Sequence, residues 1–317
     1  MNVDYLRVSV TDRCNLRCIY CNPLGSKGLI AREDILSYEE IHRVVGLCAK
    51  CGIKRVRLTG GEPLVRKDIV RLVRKLAGIQ RIKDLSMTTN GVLLEQHAVE
   101  LKDAGLKRVN ISLNSVERRC YRQMTGFDVL SRVIAGMYKA IEVGLTPVRI
   151  NCVVIRDINL SQVPALAEMS INLPVSVRFI EYCPTGKQAE PANYYVPNSE
   201  VRKKIESRFG PLSGIVLPDS SGPAVYFKIN GSAGAIGFIS GRSSIFCHRC
   251  NRLRLTSDGN IRPCLYSAHY YDLKKLIRSR AADKTIGLLI RKIIREKNRY
   301  TRLTADAGHF SMQNIGG

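Results

Sequence analysis

The sequence predicts an α/β fold, an incomplete (β/α)6 TIM-type barrel with a smaller C-terminal region. Six short β-rich runs alternate with helical stretches through the first part of the chain, a pattern typical of parallel sheets with crossover helices. Glycine-rich and polar motifs follow several of these runs directly, as they do at the carboxyl ends of barrel strands. The 317 residues, 45% of them hydrophobic, are enough for one large core and a smaller appendage.

The predicted strands come in the following order: LRVSVT from Leu6, VRLTG from Val56, LSMTTNG from Leu85, RVNISLN from Arg108, VRINCVVI from Val148 and VSVRFIEY from Val175. The first helix opens with Ser37-Tyr38-Glu39-Glu40, in which Ser and Glu three residues apart predict a capping box. Periodicity alone does not separate a barrel from a doubly wound sheet. In both architectures we expect the active residues at the carboxyl ends of the strands.

The barrel is predicted to cover residues 1–215, and the smaller region residues 216–317. No linker rich in Pro, Gly or Ser and no solenoid-type repeat marks the boundary, so the segment around Pro211–Pro223 is the best candidate by composition. The position of the boundary is therefore approximate.

The charge of the chain predicts an anionic partner. Lys and Arg outnumber Asp and Glu by 50 to 27, which gives a net charge of +23. Because there is no Trp and aromatics make up only 6%, we expect a phosphorylated small molecule or an acidic electron donor (a flavodoxin or ferredoxin) rather than nucleic acid. No apolar run approaches the ~18 residues of a membrane span, and no signal peptide is visible. We therefore expect a cytoplasmic protein without membrane association; a homodimer is compatible with the sequence.

The stretch DRCNLRCIYCNP places Cys14, Cys18 and Cys21 within eight residues. A disulfide framework is not favoured, because the chain has an odd number of cysteines, 11, and no sign of secretion. A closed zinc site needs four ligands, and His42, the nearest candidate on the C-terminal side, lies outside the usual spacing. An iron–sulfur cluster held by three thiolates fits better and leaves one iron open to another molecule.

This C-x3-C-x2-C motif, with Tyr20 before the last cysteine, resembles the signature of radical S-adenosylmethionine (SAM) enzymes. The resemblance implies that the three cysteines hold a [4Fe–4S] cluster whose open iron binds SAM. One electron then cleaves SAM to methionine and a 5′-deoxyadenosyl radical. Gly60-Gly61-Glu62-Pro63, after the second strand, is similar to the family's SAM-binding loop, in which the acid-containing segment contacts the SAM amino group. The resemblance also assigns SAM contacts to Tyr20, Gly61, Ser112 and Cys183.

A second cysteine group contains Cys247, Cys250 and Cys264 in the run FCHRCNRLRLTSDGNIRPCLY. Its spacing would suit zinc, with His248 or His269 as the fourth ligand. The same run resembles the C-terminal cluster motif of the GTP 3′,8-cyclase family, which opens molybdenum cofactor biosynthesis. The resemblance implies a second [4Fe–4S] cluster held by these three cysteines, whose open iron contacts the guanine of GTP.

The resemblance to this family extends from LRVSVTDRCN to the final Ile315-Gly316-Gly317, which is similar to a Gly-Gly tail that reaches the active site. It implies that a radical formed at the 3′ ribose carbon of GTP attacks carbon 8 of guanine. By position it assigns substrate contacts to Arg7, Arg57, Thr88, Arg149, Arg178, Arg252, Leu253 and Arg254. Several arginines suit a triphosphate, because guanidinium groups bind phosphate in a bidentate way.

Three positions depart from the family pattern: Arg149 stands where lysine is typical, and Cys183 and Asn22 stand where methionine is typical. Two other functions stay open. One is a radical SAM enzyme with an auxiliary cluster that modifies a peptide or RNA, and the other is a zinc-binding nucleic-acid protein. The remaining cysteines (Cys48, Cys51, Cys120 and Cys152) are expected to be inert, buried thiols.

Overall fold

The computed structural model describes residues 3–21, 28–183, 194–217, 222–244, 247 and 250–299. Its strands are β1 (Tyr5–Ser9), β2 (Arg55–Thr59), β3 (Asp84–Thr89), β4 (Arg108–Ser112), β5 (Val148–Val154), β6 (Val175–Glu181), β7 (Ser213–Ile215), β8 (Val225–Lys228), β9 (Ala235–Ile239), β10 (Arg252–Leu255), β11 (Asn260–Arg262) and β12 (Tyr271–Asp272).

Helices connect these strands and cover the sheet. They are α1 (Tyr38–Lys50), α2 (Ile69–Ala77), α3 (Leu94–Asp103), α4 (Arg118–Thr125), α5 (Leu130–Glu142), α6 (Arg156–Asn159), α7 (Val163–Asn172), α8 (Asn198–Phe209), α9 (Leu273–Arg278) and α10 (Asp283–Glu296). Helix α1 begins with the predicted capping box: Ser37 Oγ accepts from the Glu40 N–H at 3.1 Å, and Glu40 Oε2 accepts from the Ser37 N–H at 2.7 Å.

The central strands follow one another in chain order. Within the described residues the sheet order is β12-β11-β10-β1-β2-β3-β4-β5-β6-β9-β8-β7, and every neighbouring pair from β10 to β9 is parallel. A doubly wound sheet reverses its strand order near the middle, whereas β1 to β6 keep one direction of progression. The predicted (β/α)6 barrel is therefore confirmed, and it is unclosed, because β12 and β7 end the sheet.

Two strands from the second part of the chain extend this parallel sheet. Strand β10 pairs with β1, and β9 pairs with β6. The antiparallel pairs β10–β11 and β8–β9 lie outside them. One sheet thus contains strands from both predicted regions; the division at about residue 215 stays a prediction.

The two faces of the parallel strands differ in polarity. On β1, Leu6 and Val8 are fully buried in the hydrophobic core, whereas Arg7, between them, lines a cavity on the opposite face. Strand β2 alternates in the same way, with Val56 and Leu58 in the core and Arg57 at the cavity. Because side chains alternate along a strand, helices bury the apolar face and the barrel interior receives the polar one.

The helices also bear on the membrane prediction. None of those in the described part of the chain combines the length and the apolar character that crossing a membrane requires.

Candidate active site

Both cysteine groups line one cavity of about 330 Å³ in the interior of the barrel. The lining includes all six predicted metal ligands: Cys14, Cys18, Cys21, Cys247, Cys250 and Cys264. It also includes the predicted SAM contacts Tyr20, Gly61, Glu62, Ser112 and Cys183. The first group follows the carboxyl end of β1, whereas Cys250 precedes the amino end of β10 and Cys264 follows β11, so the second group lies at the amino ends of the parallel strands β1 and β10. Because these strands are neighbours, residues more than 200 positions apart in the sequence share the cavity.

The first cysteine loop is fixed to the loop that follows β2. Gly61 N–H donates to Thr11 O at 2.7 Å, and Glu62 N–H donates to Arg13 O at 2.8 Å. A Cβ atom at Gly61 would lie 2.1 Å from Arg13 O, so only glycine permits this approach. The double glycine therefore has a structural task in addition to its predicted place in the SAM site.

Burial disfavours the thiolate forms of the three cysteines in the first loop. It raises the pKa of Cys14 to about 11 and that of Cys18 to about 12, and it also raises the pKa of Cys21. Neighbouring thiolates raise the pKa values of Cys18 and Cys21 further. Three thiolates in this partly buried loop need a compensating cation, which suits the cationic core of an iron–sulfur cluster. No three His, Cys, Asp or Glu side chains in the described residues converge as on a single metal ion. A cluster does not require this, because each thiolate binds a different iron.

Glu62 is buried and holds the neighbouring loops. Its carboxylate accepts from the Leu64 N–H at 3.0 Å, from Thr89 Oγ1 at 2.7 Å and from the Asn90 N–H at 2.6 Å. Burial nevertheless raises the pKa of Glu62 to about 7, because desolvation disfavours the charged carboxylate more than these bonds stabilise it. A cationic ligand group at the cavity would favour the ionised form.

Arginines from neighbouring strands meet inside the barrel. Arg254, Arg7 and Arg57 occupy one register across β10, β1 and β2, and Arg178 lies on β6 and donates to Asn151 Oδ1 at 2.6 and 2.9 Å. With its amide oxygen turned toward them, Asn110 accepts from both Arg57 and Arg178. These four arginines and Arg252 line the cavity.

Burial and mutual repulsion disfavour the arginine charges. Burial, followed by the neighbouring charges of Arg254 and Arg57, holds the pKa of Arg7 well below its usual range. Burial and nearby arginines likewise lower the pKa of Arg57 to about 9 and that of Arg254 to about 10. Thr88 Oγ1 is buried and has no hydrogen-bond partner among the residues that the structure describes, although Thr88 lines the same cavity. Excess positive charge and an orphaned hydroxyl suit a polyanionic, hydrogen-bonding ligand.

Two predicted substrate residues do not line the cavity. Leu253 is fully buried in the hydrophobic core, because it alternates with the inward-facing Arg252 and Arg254 on β10. Arg149 is 3% exposed on β5, where it lies beside Asn110 of β4, and its charge lowers the pKa of Arg57. Arg149 therefore acts on the cavity through its neighbours.

The second cysteine group has a different electrostatic environment. Burial alone would raise the pKa of Cys250, but the charges of Arg252 and Lys297 lower it to about 7. The ring of His269, one of the alternative zinc ligands, packs edge-on against Tyr271 at 4.6 Å between centroids and is not among the cavity-lining residues. His248, Asn22 and the tail Ile315-Gly316-Gly317 lie outside the described residues.

The remaining cysteines stay away from the cavity. Cys48, Cys120 and Cys152 are buried as expected, whereas Cys51 is partly exposed beside Arg291. None of the four lines the cavity.

Sequence reasoning missed two polar residues of the site, Glu181 and Asn114. Glu181, at the end of β6, is 1% exposed and accepts from the N–H groups of Asn198, Arg242 and Ser243 at 2.8 to 3.1 Å. Asn114 donates to the Tyr20 hydroxyl at 3.0 Å. Both residues lie at or just after the end of a predicted strand, as the other site residues do. This location is the sequence feature by which they could have been found.

Comparison with known proteins identifies the family. Residues 8–170 match the radical SAM superfamily, and residues 175–303 match the family described as Molybdenum Cofactor Synthesis C. The GTP 3′,8-cyclase of Pelotomaculum thermopropionicum is 45% identical over 99% of this chain and 98% of its own length. The GTP 3′,8-cyclase of Thermodesulfovibrio yellowstonii is 44% identical over 93% of this chain and 92% of its own length.

A solved structure agrees in fold. Streptococcus suis SuiB bound to S-adenosylmethionine superposes with a TM-score of 0.59 at 17% identity, covering 87% of this chain and 63% of that chain. At this identity the likeness concerns the fold alone. The family matches and the close relatives together show that this chain is a radical SAM protein of the GTP 3′,8-cyclase family.

Proposed function

We propose that this protein is a GTP 3′,8-cyclase, which converts GTP to (8S)-3′,8-cyclo-7,8-dihydroguanosine 5′-triphosphate in the first step of molybdenum cofactor biosynthesis. One observation carries the proposal: a single cavity brings together two groups of three cysteines and five arginines. The cysteine groups suit two clusters, and the arginines suit a triphosphate. The relatives named GTP 3′,8-cyclase cover nearly the whole chain and support the same activity.

Cys14, Cys18 and Cys21 are the residues that would hold the [4Fe–4S] cluster of the radical SAM superfamily. With SAM bound, this cluster supplies a 5′-deoxyadenosyl radical after one-electron reduction. Glu62 would hold the SAM amino group. Ser112 and Cys183, at the ends of β4 and β6, would contact the rest of the molecule. Cys183 retains a sulfur atom where methionine is typical.

The arginines would bind GTP through its phosphates. Arg57 and Arg254 have lowered pKa values of about 9 and 10, so both remain charged near neutral pH. A triphosphate would relieve their mutual repulsion and accept bidentate hydrogen bonds from them. Fixing the phosphates would also orient the ribose, and catalysis here depends on such positioning.

Cys247, Cys250 and Cys264 would hold a second [4Fe–4S] cluster. Three cysteine ligands leave one iron without a protein thiolate, and we propose that guanine binds there. The positive charges of Arg252 and Lys297 favour the thiolate form of Cys250, which a cluster ligand requires.

We further propose an acidic protein as the electron donor, docked against α4. This helix lies against the first cysteine loop, since Arg17 N–H donates to Thr125 O at 2.9 Å and Ile19 N–H donates to Met124 O at 3.1 Å. Arg17, Arg119 and Arg122 are exposed there. Arg119→Glu combined with Arg122→Glu should slow reduction by an acidic flavodoxin but not by dithionite. Reduction of the double variant by flavodoxin at the wild-type rate would contradict this docking site. The homodimer and the cytoplasmic location stay predictions.

The test of the proposed activity is an anaerobic reaction with SAM, dithionite and GTP that carries deuterium at the 3′ carbon. We expect about eight irons per chain, an isomer of GTP separable by chromatography, and deuterium in the 5′-deoxyadenosine. ATP serves as the control substrate. Formation of 5′-deoxyadenosine without deuterium and without the GTP isomer would refute the assignment, and turnover of an added peptide or RNA would favour the alternative radical SAM function.

A further inference from the structure

Lys297 is a buried lysine that joins the two segments carrying Cys250 and Cys264. It directly follows α10 and is 5% exposed. Its Nζ atom donates to Arg252 O at 2.7 Å and to Pro263 O at 2.6 Å. Arg252 lies two positions after Cys250, and Pro263 directly precedes Cys264.

These two bonds close the open end of a hairpin. Strands β10 and β11 pair antiparallel through Arg254 with Arg262 and Leu255 with Ile261. Beyond these pairs, the segment that precedes β10 leads back to Cys250, and the segment that follows β11 leads to Cys264. Lys297 bridges them from a distance of 45 and 34 positions in the sequence. Its ammonium group thus sets the separation of the two cysteine-bearing segments.

The surroundings of Lys297 contain no carboxylate partner among the described residues. The adjacent Glu296 instead accepts from the Tyr271 hydroxyl at 3.2 Å and pairs with Arg299 at 3.6 Å. Burial lowers the pKa of Lys297, and Arg252 and Arg254 act in the same direction. The groups that oppose this shift are Cys250 and Cys264. An unpaired buried ammonium is costly, so an anionic group bound to these cysteines would complete its environment.

We propose that Lys297 is a positioning residue for the second cluster, which it serves by fixing the two ligand segments and by placing a positive charge beside the anionic thiolate–cluster complex. This inference rests on the second cluster of the proposed function. Because reduction makes the complex more negative, the charge stabilises the reduced state more than the oxidised state. Lys297 should therefore raise the reduction potential of the second cluster as well as its retention.

The experiment uses the full chain carrying Cys14→Ser, Cys18→Ser and Cys21→Ser, so that iron bound at the second group is measured alone. In this background, Lys297→Met, Lys297→Arg and Lys292→Met are compared. Lys292 is exposed on α10, five positions before Lys297, and its replacement removes the same charge without touching the cysteine-bearing segments. Iron per chain and the midpoint potential are measured without substrate, the latter by electron paramagnetic resonance during redox titration.

We expect the Lys297→Met variant to retain less iron. The equilibrium constant for reduction of its second cluster should be about tenfold smaller, which is a shift of about −59 mV in midpoint potential for one electron. Lys297→Arg should restore most of the potential, and Lys292→Met should match the parent. A purely structural role would lower iron retention without moving the potential of the clusters that remain. Parental iron content and potential in Lys297→Met would overturn the inference.

The parent background separates this inference from the proposed function. Iron bound at the second group of the parent, together with an unchanged Lys297→Met variant, would refute the role of Lys297 alone. A parent that binds no iron would refute the second cluster and this inference with it. Should Lys297→Met fail to fold, a comparison of Lys297→Gln with Lys297→Arg applies the same criterion.

Discussion

Glu62 accepts a hydrogen bond from the backbone N–H of Asn90 at 2.6 Å, which connects the loops that follow β2 and β3. The Asn90 side chain in turn donates to Asn15 Oδ1 at 2.7 Å and to Cys14 Sγ at 3.8 Å. The predicted SAM-binding carboxylate and the first cysteine loop therefore belong to one hydrogen-bonded unit. A substitution at Glu62 or in its loop should therefore disturb the position of the first cysteine loop.

The raised pKa of Glu62 predicts a pH-dependent stability of the ligand-free protein. Its pKa rises from 4.5 to about 7 on folding, so the folded state binds more protons between these values. Protonated Glu62 therefore makes its full contribution to the free energy of unfolding below about pH 4.5. This contribution is lost as the pH rises through 7, and the loss is about 3 kcal/mol at most. Urea unfolding at pH 5.5 and 8 of the wild type and Glu62→Gln measures it. Equal pH dependence in the two proteins would contradict the prediction.

The close approach at Gly61 predicts a specific effect of a single methyl group. Gly61→Ala would place Cβ 2.1 Å from Arg13 O and force the cysteine loop away, at a cost of about 1–3 kcal/mol. We expect poor retention of iron at the first group and weak SAM binding. Gly46→Ala is the matched control, because Gly46 lies in α1 with nothing within 4 Å of the added atom. Normal iron retention in Gly61→Ala would show that the loop can adapt.

The cysteines of the first loop should be irreplaceable, and those outside the cavity should not. Cys18→Ser is expected to abolish SAM cleavage, because a serine hydroxyl is a poor substitute for a thiolate at iron. Cys51→Ser, which alters a partly exposed thiol remote from the cavity, should keep full activity. The measurement is 5′-deoxyadenosine formed with SAM and dithionite. Normal production by Cys18→Ser would refute the assignment of this cysteine.

Arg57 should strengthen GTP binding without stabilising the ligand-free protein. Arg57→Met removes a buried charge that neighbouring arginines repel, so the free energy of unfolding should not fall. GTP affinity should weaken by about 1.5–3 kcal/mol, the range for a hydrogen bond to a charged group. SAM affinity should stay unchanged. Arg81→Met, at an exposed position, controls for loss of charge. Calorimetric titrations with both ligands test this, and parallel losses of GTP and SAM affinity would indicate a folding defect instead.

Local patterns in the sequence were sufficient to predict the strands and the cysteine groups. The strand-end polar residues also followed from sequence order, because parallel strands end at one edge. The alternation along β10 also follows from the sequence, and it directs the Leu253 side chain to the core, away from the inward-facing Arg252 and Arg254. By contrast, the pairing of β10 with β1 depends on tertiary packing. Lys297 reaches the cysteine segments from a distant helix, and nothing in its local sequence indicates this.

The second cysteine group provides the sharpest division between a GTP cyclase and another radical SAM enzyme. Cys264 lines the same cavity as Cys14 but belongs to a different strand pair, so its loss should leave the first cysteine loop intact. Cys264→Ala should therefore assemble the first cluster, bind SAM and cleave it slowly, yet form no cyclised nucleotide.

The reason is that an open iron of the second cluster can accept a nitrogen or oxygen ligand from guanine. Arginines at the phosphates and iron at the purine would then fix the ribose between them, and without the second attachment the 3′ carbon is no longer positioned for reaction. Electron paramagnetic resonance of the reduced wild type, with and without GTP, measures this attachment directly. GTP should perturb the signal of the second cluster, ATP should perturb it less because its purine edge differs, and a signal indifferent to GTP would count decisively against guanine binding at that cluster.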